Sequence, residues 1–408
     1  MIFFSHQFAV FTGLFFIAYW AVPIPLARRL LLLLASVTFQ VHFSGPAGVL
    51  PIIVLAVGTY FVALSRNRLL CALWITVCAL ALIFYKYTHF LFQGIIGVAF
   101  PDLAKSGEEA LAGILPTLPP LGVSFFVFEF VHYLMEIRRG HRPIRSPLTF
   151  ALFTSFWPSL VAGPIKRYRQ FSVSLSHGAR NVSSDDVIAG MVRLAIGICK
   201  KFLGDVLTSW IQSQQASFDV LPLSVRWGIV VAIAFRILLD FSGYSDMAIG
   251  FARMMGIRLP ENFNWPYIAH SITDFWRRWH ISLSTWIRDY IYIPLGGSRH
   301  GLMRKSLNGF IAMALCGLWH GAAWNFALWG VYHGVGLAIA GALPLPRLLS
   351  EKPPLVFSSF RPAALAATWL AWRGFSWAAT MLFVMIGWLL FFYPVDQAFH
   401  MTLRLFSH

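Results

Sequence analysis

Residues 266–294 read PYIAHSITDFWRRWHISLSTWIRDYIYIP, and no simple membrane span can be written this way. The apolar residues Ile272, Phe275, Trp276, Trp279, Leu283, Trp286, Ile287 and Tyr290 recur mostly at intervals of three and four, the stripe of an amphipathic helix. Between them stand Asp274, Arg277, Arg278, His280, Arg288 and Asp289. Each Arg or Asp at the centre of a lipid-facing helix costs about 2.5–3.5 kcal/mol. The segment is therefore predicted to be a re-entrant or interfacial helix, begun by Thr273 or Asp274 and stopped by Pro294-Leu295-Gly296-Gly297.

The surrounding sequence is that of a membrane protein from end to end. Of 408 residues, 58% are hydrophobic and 12% charged, against about 25% charged in soluble domains. A span needs about 20 mostly apolar residues. Candidates run from Phe8 to Leu26, Leu30 to Phe43, Val49 to Leu64, Leu69 to Tyr87, Val225 to Leu239, Leu307 to Trp319, Ala323 to Leu343 and Phe375 to Phe392. An all-α integral membrane fold of roughly ten to twelve helices follows, not all of them crossing. The first stretch lacks a basic leader and a small-x-small cleavage site, so it is expected to be a retained span.

The net charge of +16 does not point to nucleic acid. A phosphate-binding face gathers its cations on one solvated surface, whereas here they occupy short loops between apolar runs. Arg28 and Arg29, Arg66 and Arg68, then Arg138, Arg139, Arg142 and Arg145 mark loops retained on the cytoplasmic side, while Pro101–Pro120 carries Asp102, Glu108 and Glu109 against Lys105. The N-terminus is then expected outside. Cys71, Cys78, Cys199 and Cys316 lack metal-ligand spacing and read as buried packing residues.

Residues 1–408 read as one membrane domain whose texture changes along its length. Residues 1–90 form greasy scaffold helices, 119–343 a core interrupted by Pro, Gly, His, Arg and Asp, and 344–408 C-terminal helices. Irregular polar backbone at membrane depth survives only where protein buries it or water lines it. Pro147–Pro164 is about 17 residues long with basic residues at both ends, so it is expected to enter and leave on one side. Val187–Ile211 carries Arg193, Lys200 and Lys201 and is expected inside the bundle or at the interface.

Buried ionisable residues in a membrane are functional candidates by default. His320, followed by Gly321 at the end of an apolar helix, has the chemistry of a base, since imidazole titrates near neutrality and glycine permits close approach of a substrate. A hydrogen-bonded packing histidine is an equally weighted alternative, because no carboxylate stands near it in sequence. His280 could orient a substrate, although residue chemistry alone favours a histidine snorkelling to the interface. Asp274 with Arg277 and Arg278 has intrahelical ion-pair spacing, and either arginine could instead hold an anionic group of a donor. Asp240 and Asp246, in an Asp-Phe-Ser-Gly-Tyr-Ser-Asp run at the end of an apolar helix, are expected to pair with buried arginines or cap helix ends. Trp279 and Trp319 read chiefly as packing and interface anchors, and Asn325 and His333 complete the polar candidates. No spacing marks a metal site.

The run Asp274-Phe-Trp-Arg-Arg-Trp-His280 through Pro294-Leu-Gly-Gly297 strongly resembles the signature of the membrane-bound O-acyltransferases, in particular the bacterial alginate O-acetylation branch and, more distantly, the teichoic-acid D-alanyl transfer proteins. The resemblance takes in Met1–Phe43, Pro120-Leu-Gly-Val-Ser-Phe-Phe126, Trp157-Pro-Ser-Leu-Val-Ala-Gly-Pro164, Asp240–Asp246 and Leu259-Pro-Glu-Asn-Phe-Asn-Trp-Pro266. It continues through Leu318-Trp-His-Gly321, Trp329-Gly330 and His333-Gly334. It implies a ring of transmembrane and re-entrant helices around a funnelled core in the bacterial inner membrane. His320 falls on the family's catalytic histidine and His280 on its second characteristic one. It further implies an acyl thioester donor, acetyl-CoA or an acyl carrier protein, with no covalently bound cofactor. An extracytoplasmic SGNH-hydrolase-like partner would then acetylate an exported polysaccharide. The chain departs from the alginate type in ending at His408, where such members continue with further helices.

A transporter without covalent chemistry is the competing expectation, because broken helices and buried charges also serve transport. It predicts an inverted repeat, and none is visible.

Overall fold

The computed structural model describes residues 5–111, 113–115, 119–342 and 360–407, with backbone alone at 46, 47 and 360–366. The expected C-terminal region therefore lies outside the described residues as far as 359, as does Leu343. All regular elements among the described residues are helical. They are α1 (His6–Ala21), α2 (Pro25–Ser65), α3 (Arg68–His89), α4 (Pro101–Leu111), α5 (Val123–Arg138), α6 (Pro147–Ser155), α7 (Tyr168–Gly178), α8 (Ser184–Gln215), α9 (Leu223–Met254), α10 (Ile272–Arg278), α11 (Ile281–Ile287), α12 (Gly301–His320), α13 (Trp324–Ala342), α14 (Phe360–Phe392) and α15 (Val395–Arg404), with short 3₁₀ and π turns between some of them.

Helix ends fall where the sequence supplies caps. Ser5 Oγ accepts from the Phe8 amide at 3.1 Å, and Asn67 Oδ1 accepts from Leu69 and Leu70. The interval between the candidate spans Leu30–Phe43 and Val49–Leu64 is a break inside α2, where Gly45 takes a φ of 69° that glycine alone adopts freely. Among the described residues, four helical stretches are long and apolar enough to cross a bilayer: Pro25–Gly45, Gly48–Ser65, Arg68–Ala99 and Ala367–Phe392. Only 11–33% of their most apolar windows is buried within the protein, so most of their surface is left for lipid.

The chain divides into two compact units, Met1–Lys201 with Phe241–Glu261, and Phe202–Asp240 with Asn262–His408. The first has an aromatic core around Trp157, whose fully buried ring lies 5.1–6.1 Å from those of Phe8, Phe11, Phe15, Phe39 and Phe251. Pro147–Pro164 is the nine-residue α6 followed by a single tight turn at Trp157–Ser159, too short to cross, as its length predicted. Lys166 is buried against Glu129 at 2.6 Å and lies over the rings of Phe153, Phe156 and Phe171. Of the four cysteines, Cys199 is exposed and not buried as expected, while the other three are buried.

In the second unit α12 and α13 form a tight helical hairpin. Its crossing is built on glycine: a Cβ on Gly317 would lie 2.3 Å from the Phe326 carbonyl oxygen and 2.7 Å from Gly330 Cα. Any side chain there would force the helices apart. This close approach places the end of α12 against the first half of α13.

Candidate functional site

The diagnostic stretch folds differently from the single helix its periodicity predicts. Ser271, not Thr273 or Asp274, is the cap, its hydroxyl accepting from the Asp274 amide at 3.1 Å. α10 ends at Arg278, Trp279 is extended, and His280 adopts φ 43° and ψ 54° before α11 begins. That left-handed conformation costs a non-glycine residue about 1–2 kcal/mol, so something must hold it. Asn262 does much of this: its carbonyl accepts from the Ile281 amide at 2.9 Å, and its Oδ1 accepts from the Ser282 hydroxyl at 2.6 Å and the Ser282 amide at 3.3 Å. The Asn264 amide donates to the Arg278 carbonyl at 2.9 Å. The apolar stripe survives the break, for Ile272, Phe275, Trp276, Trp279, Leu283, Trp286 and Ile287 are all buried.

His280 is 1% exposed, so it does not snorkel to an interface as its residue chemistry alone suggested. Its ring lies 6.1 Å from Trp319, whose indole in turn lies 4.8 Å from the ring of His320. His320 is the last residue of α12, and extended Gly321 turns the chain away from it. Its ring is boxed by Trp319 at 4.8 Å, Trp329 at 5.2 Å and Phe391 of α14 at 5.1 Å.

His333 lies one helical turn beyond Trp329 on α13 and is fully buried. Trp329 at 4.8 Å, Trp276 at 5.2 Å and Phe383 at 5.4 Å surround it, and neither ring nitrogen has a hydrogen-bond partner among the described residues. A Cβ on Gly387 would lie 3.1 Å from His333 Nε2, which keeps α14 tight against this wall.

The remaining candidates divide. Asp274 pairs with Arg278 within α10, Oδ1 to Nε 2.9 Å, as the spacing predicted, which leaves Arg277 exposed. Trp279 belongs to a stack with Phe275 at 5.6 Å and Trp388 at 4.7 Å. Trp319 is buried between the two histidines' rings, and Asn325 is half-buried in the first turn of α13. Asp240 and Asp246 lie within α9 and not at its end, so neither caps it. Asp246 is instead held in the first unit by Arg193 at 2.6 Å and Lys200 at 2.5 Å. Among the described residues, no three His, Cys, Asp or Glu side chains are gathered as metal ligands would be.

The sequence named Trp329 and Asn262 only inside longer motifs, without a role, and did not point to Phe391. The signal for Trp329 was its i, i+4 spacing from His333, which places both on one helix face. Asn262 acts from 18 residues upstream and carried no local mark.

The arrangement sets the imidazoles of His280, His320 and His333 among packed aromatic rings, and imidazole is the side chain suited to proton transfer near neutral pH. Residues 117–367, which contain every one of these candidates, match the model of the membrane-bound O-acyltransferase family. Across its whole length the chain is 35% identical to a probable alginate O-acetylase of Azotobacter vinelandii, covering 78% of that protein. It is 32% identical to a peptidoglycan O-acetyltransferase of Helicobacter pylori over 77% of the chain and 64% of the relative. A teichoic acid D-alanyltransferase of Streptococcus thermophilus is 28% identical over 68% of the chain and 74% of its own length.

Proposed function

The chain belongs to the membrane-bound O-acyltransferase family, and from that premise we propose that it passes an acetyl group from a cytoplasmic thioester to an exported polysaccharide, with His320 as base. One observation carries the role of His320. It ends α12 in an aromatic box, with Trp319 next to both its ring and that of His280 and with Gly321 immediately behind it.

In this reading the imidazole removes the proton of an acceptor hydroxyl as its oxygen attacks the thioester carbonyl. The carbon–oxygen bond forms, the carbon–sulfur bond breaks, and the proton leaves with the thiol. Base catalysis of this kind supplies about 10²–10⁴-fold. In this reading the donor is acetyl-CoA or an acyl carrier protein, and Arg277, which is exposed, is assigned to its anionic part. The acceptor class follows from relatives that acetylate alginate or peptidoglycan. An extracytoplasmic SGNH-hydrolase-like partner completes transfer, and the enzyme resides in the bacterial inner membrane. Membership of an acyltransferase family also removes the support for a pure transporter.

The test is transfer from radiolabelled acetyl-CoA in membranes carrying the protein. Label should reach a partner protein or polysaccharide, and His320→Ala should abolish it while the protein still elutes as a folded species. A folded variant working at the wild-type rate would remove His320 from the chemistry. Arg277→Ala should raise the donor concentration needed for half-maximal rate.

A further inference from the structure

In the first unit, the loop after α5 lines an open pocket of about 570 Å³ bounded by the start of α6 and by α7. Its lining is basic and pinned in place. The Tyr60 hydroxyl donates to the Arg145 carbonyl at 2.6 Å, the Tyr168 hydroxyl donates to the Arg142 carbonyl at 3.1 Å, and the Ile144 amide donates to Tyr133 Oη at 2.9 Å. Three tyrosines thus fix the backbone of the loop and leave its guanidinium groups exposed.

Those guanidinium groups are not neutralised locally. Glu136, the carboxylate beside the loop, is taken by Arg139 at 2.7 Å and His141 at 3.2 Å. Arg142, Arg145 and Arg169 have no ion pair among the described residues. The start of α6 also lines the space through Ser146 and Thr149, its end capped by Ser146 Oγ, which accepts from the Thr149 amide at 3.3 Å. Exposed guanidinium groups need no carboxylate, and retention of the loop on one side accounts for its charge; what the geometry adds is that three of them line one concavity.

We propose that this pocket binds a phosphate-bearing anion, held by Arg142 and Arg145 of the loop and Arg169 of α7. Forked guanidinium groups are the donors that suit phosphate oxygens. The phosphate comes either from the headgroup of an anionic lipid in the adjoining leaflet or from a soluble ion. Arginines concentrated beside membrane spans favour anionic headgroups.

The experiment uses the full chain purified in an uncharged detergent and follows thermal unfolding with three additives: dihexanoyl phosphatidylglycerol, dihexanoyl phosphatidylcholine and inorganic phosphate. The wild type should be stabilised by the anionic lipid, with salt weakening the effect, and much less by the zwitterionic one. Arg142→Gln with Arg145→Gln should raise the apparent Kd by at least about tenfold, the loss expected for charge-assisted contacts. Stabilisation by inorganic phosphate at similar concentration, lost in the same variant, also supports the site and assigns it to a soluble ion. If the double variant does not fold, the exposed Arg169→Gln alone must still weaken binding. An unaltered response in the folded variants, or no response of the wild type to either anion, overturns the proposal.

Discussion

The imidazole of His320 meets the indole of Trp329 edge-on, ring centroids 5.2 Å apart and planes at 89°. Trp329 also lies 4.8 Å from His333, so one fully buried indole touches both rings. Replacing it with alanine opens a large cavity and is expected to cost about 3–5 kcal/mol. It also removes the wall against which His320 is set. Trp329→Ala should therefore lower both the unfolding temperature and the transfer rate, whereas Trp329→Phe should keep most of the stability. Parallel melting curves and labelled-acetyl assays on the two variants check this.

His280 separates stability from activity more sharply. Its left-handed backbone is unfavourable for histidine and free for glycine. His280→Gly should leave thermal stability nearly unchanged, backbone relief offsetting lost packing, while transfer falls by at least about tenfold. Asn262→Ala acts on the same kink from outside, because it leaves the buried Ser282 hydroxyl without its acceptor at a cost of about 1–3 kcal/mol. If His280 is only packing, its glycine variant will retain transfer.

The extent to which this site was legible follows the range of the forces involved. The apolar stripe from Ile272 to Ile287 obeys helical spacing, so burial of one face could be read from neighbours alone, and the Asp274–Arg278 pair likewise. The kink at His280 could not. Nothing between Trp279 and Ile281 breaks a helix, and its supports come from Asn262 in a separate strap of chain. Asp246 shows the same limit: its charge foretold a basic partner, but Arg193 lies 53 residues away. The aromatic box around His320 was half visible, since Trp319 adjoins it, while Phe391 arrives from α14.

The α12–α13 hairpin predicts opposite outcomes for two glycines. A Cβ on Gly330 would lie 2.5 Å from the Met313 carbonyl oxygen and 2.9 Å from Gly317 Cα, backbone that cannot yield without separating the helices. Gly330→Ala should destabilise by about 1–3 kcal/mol, as overpacking does, and shift Trp329 away from His320. Gly309, inside α12, has nothing within 4 Å of its added Cβ. Gly309→Ala should stabilise by about 0.5–1 kcal/mol through helix propensity alone. Unfolding temperatures moving in the same direction for both would contradict the close crossing.

Glu129 and Lys166 form a buried pair, Oε1 to Nζ 2.6 Å, with side chains 5% and 1% exposed. Lys166 has a second partner in Ser159 Oγ at 3.0 Å, and three phenylalanine rings surround it. Removing one member leaves the other charge in an apolar setting, so Glu129→Leu or Lys166→Met alone should cost about 3–5 kcal/mol. Replacing both removes the unpaired charge, and such exchanges are often neutral or stabilising. The double variant should therefore be more stable than either single one, a strongly non-additive cycle read from three melting curves. Transfer activity separates the two roles the pair could have. A purely structural pair predicts that the double variant, once folded, still moves acetyl groups. A folded double variant without transfer would instead make the pair part of the working machinery, because its packing would be restored and only its charges missing.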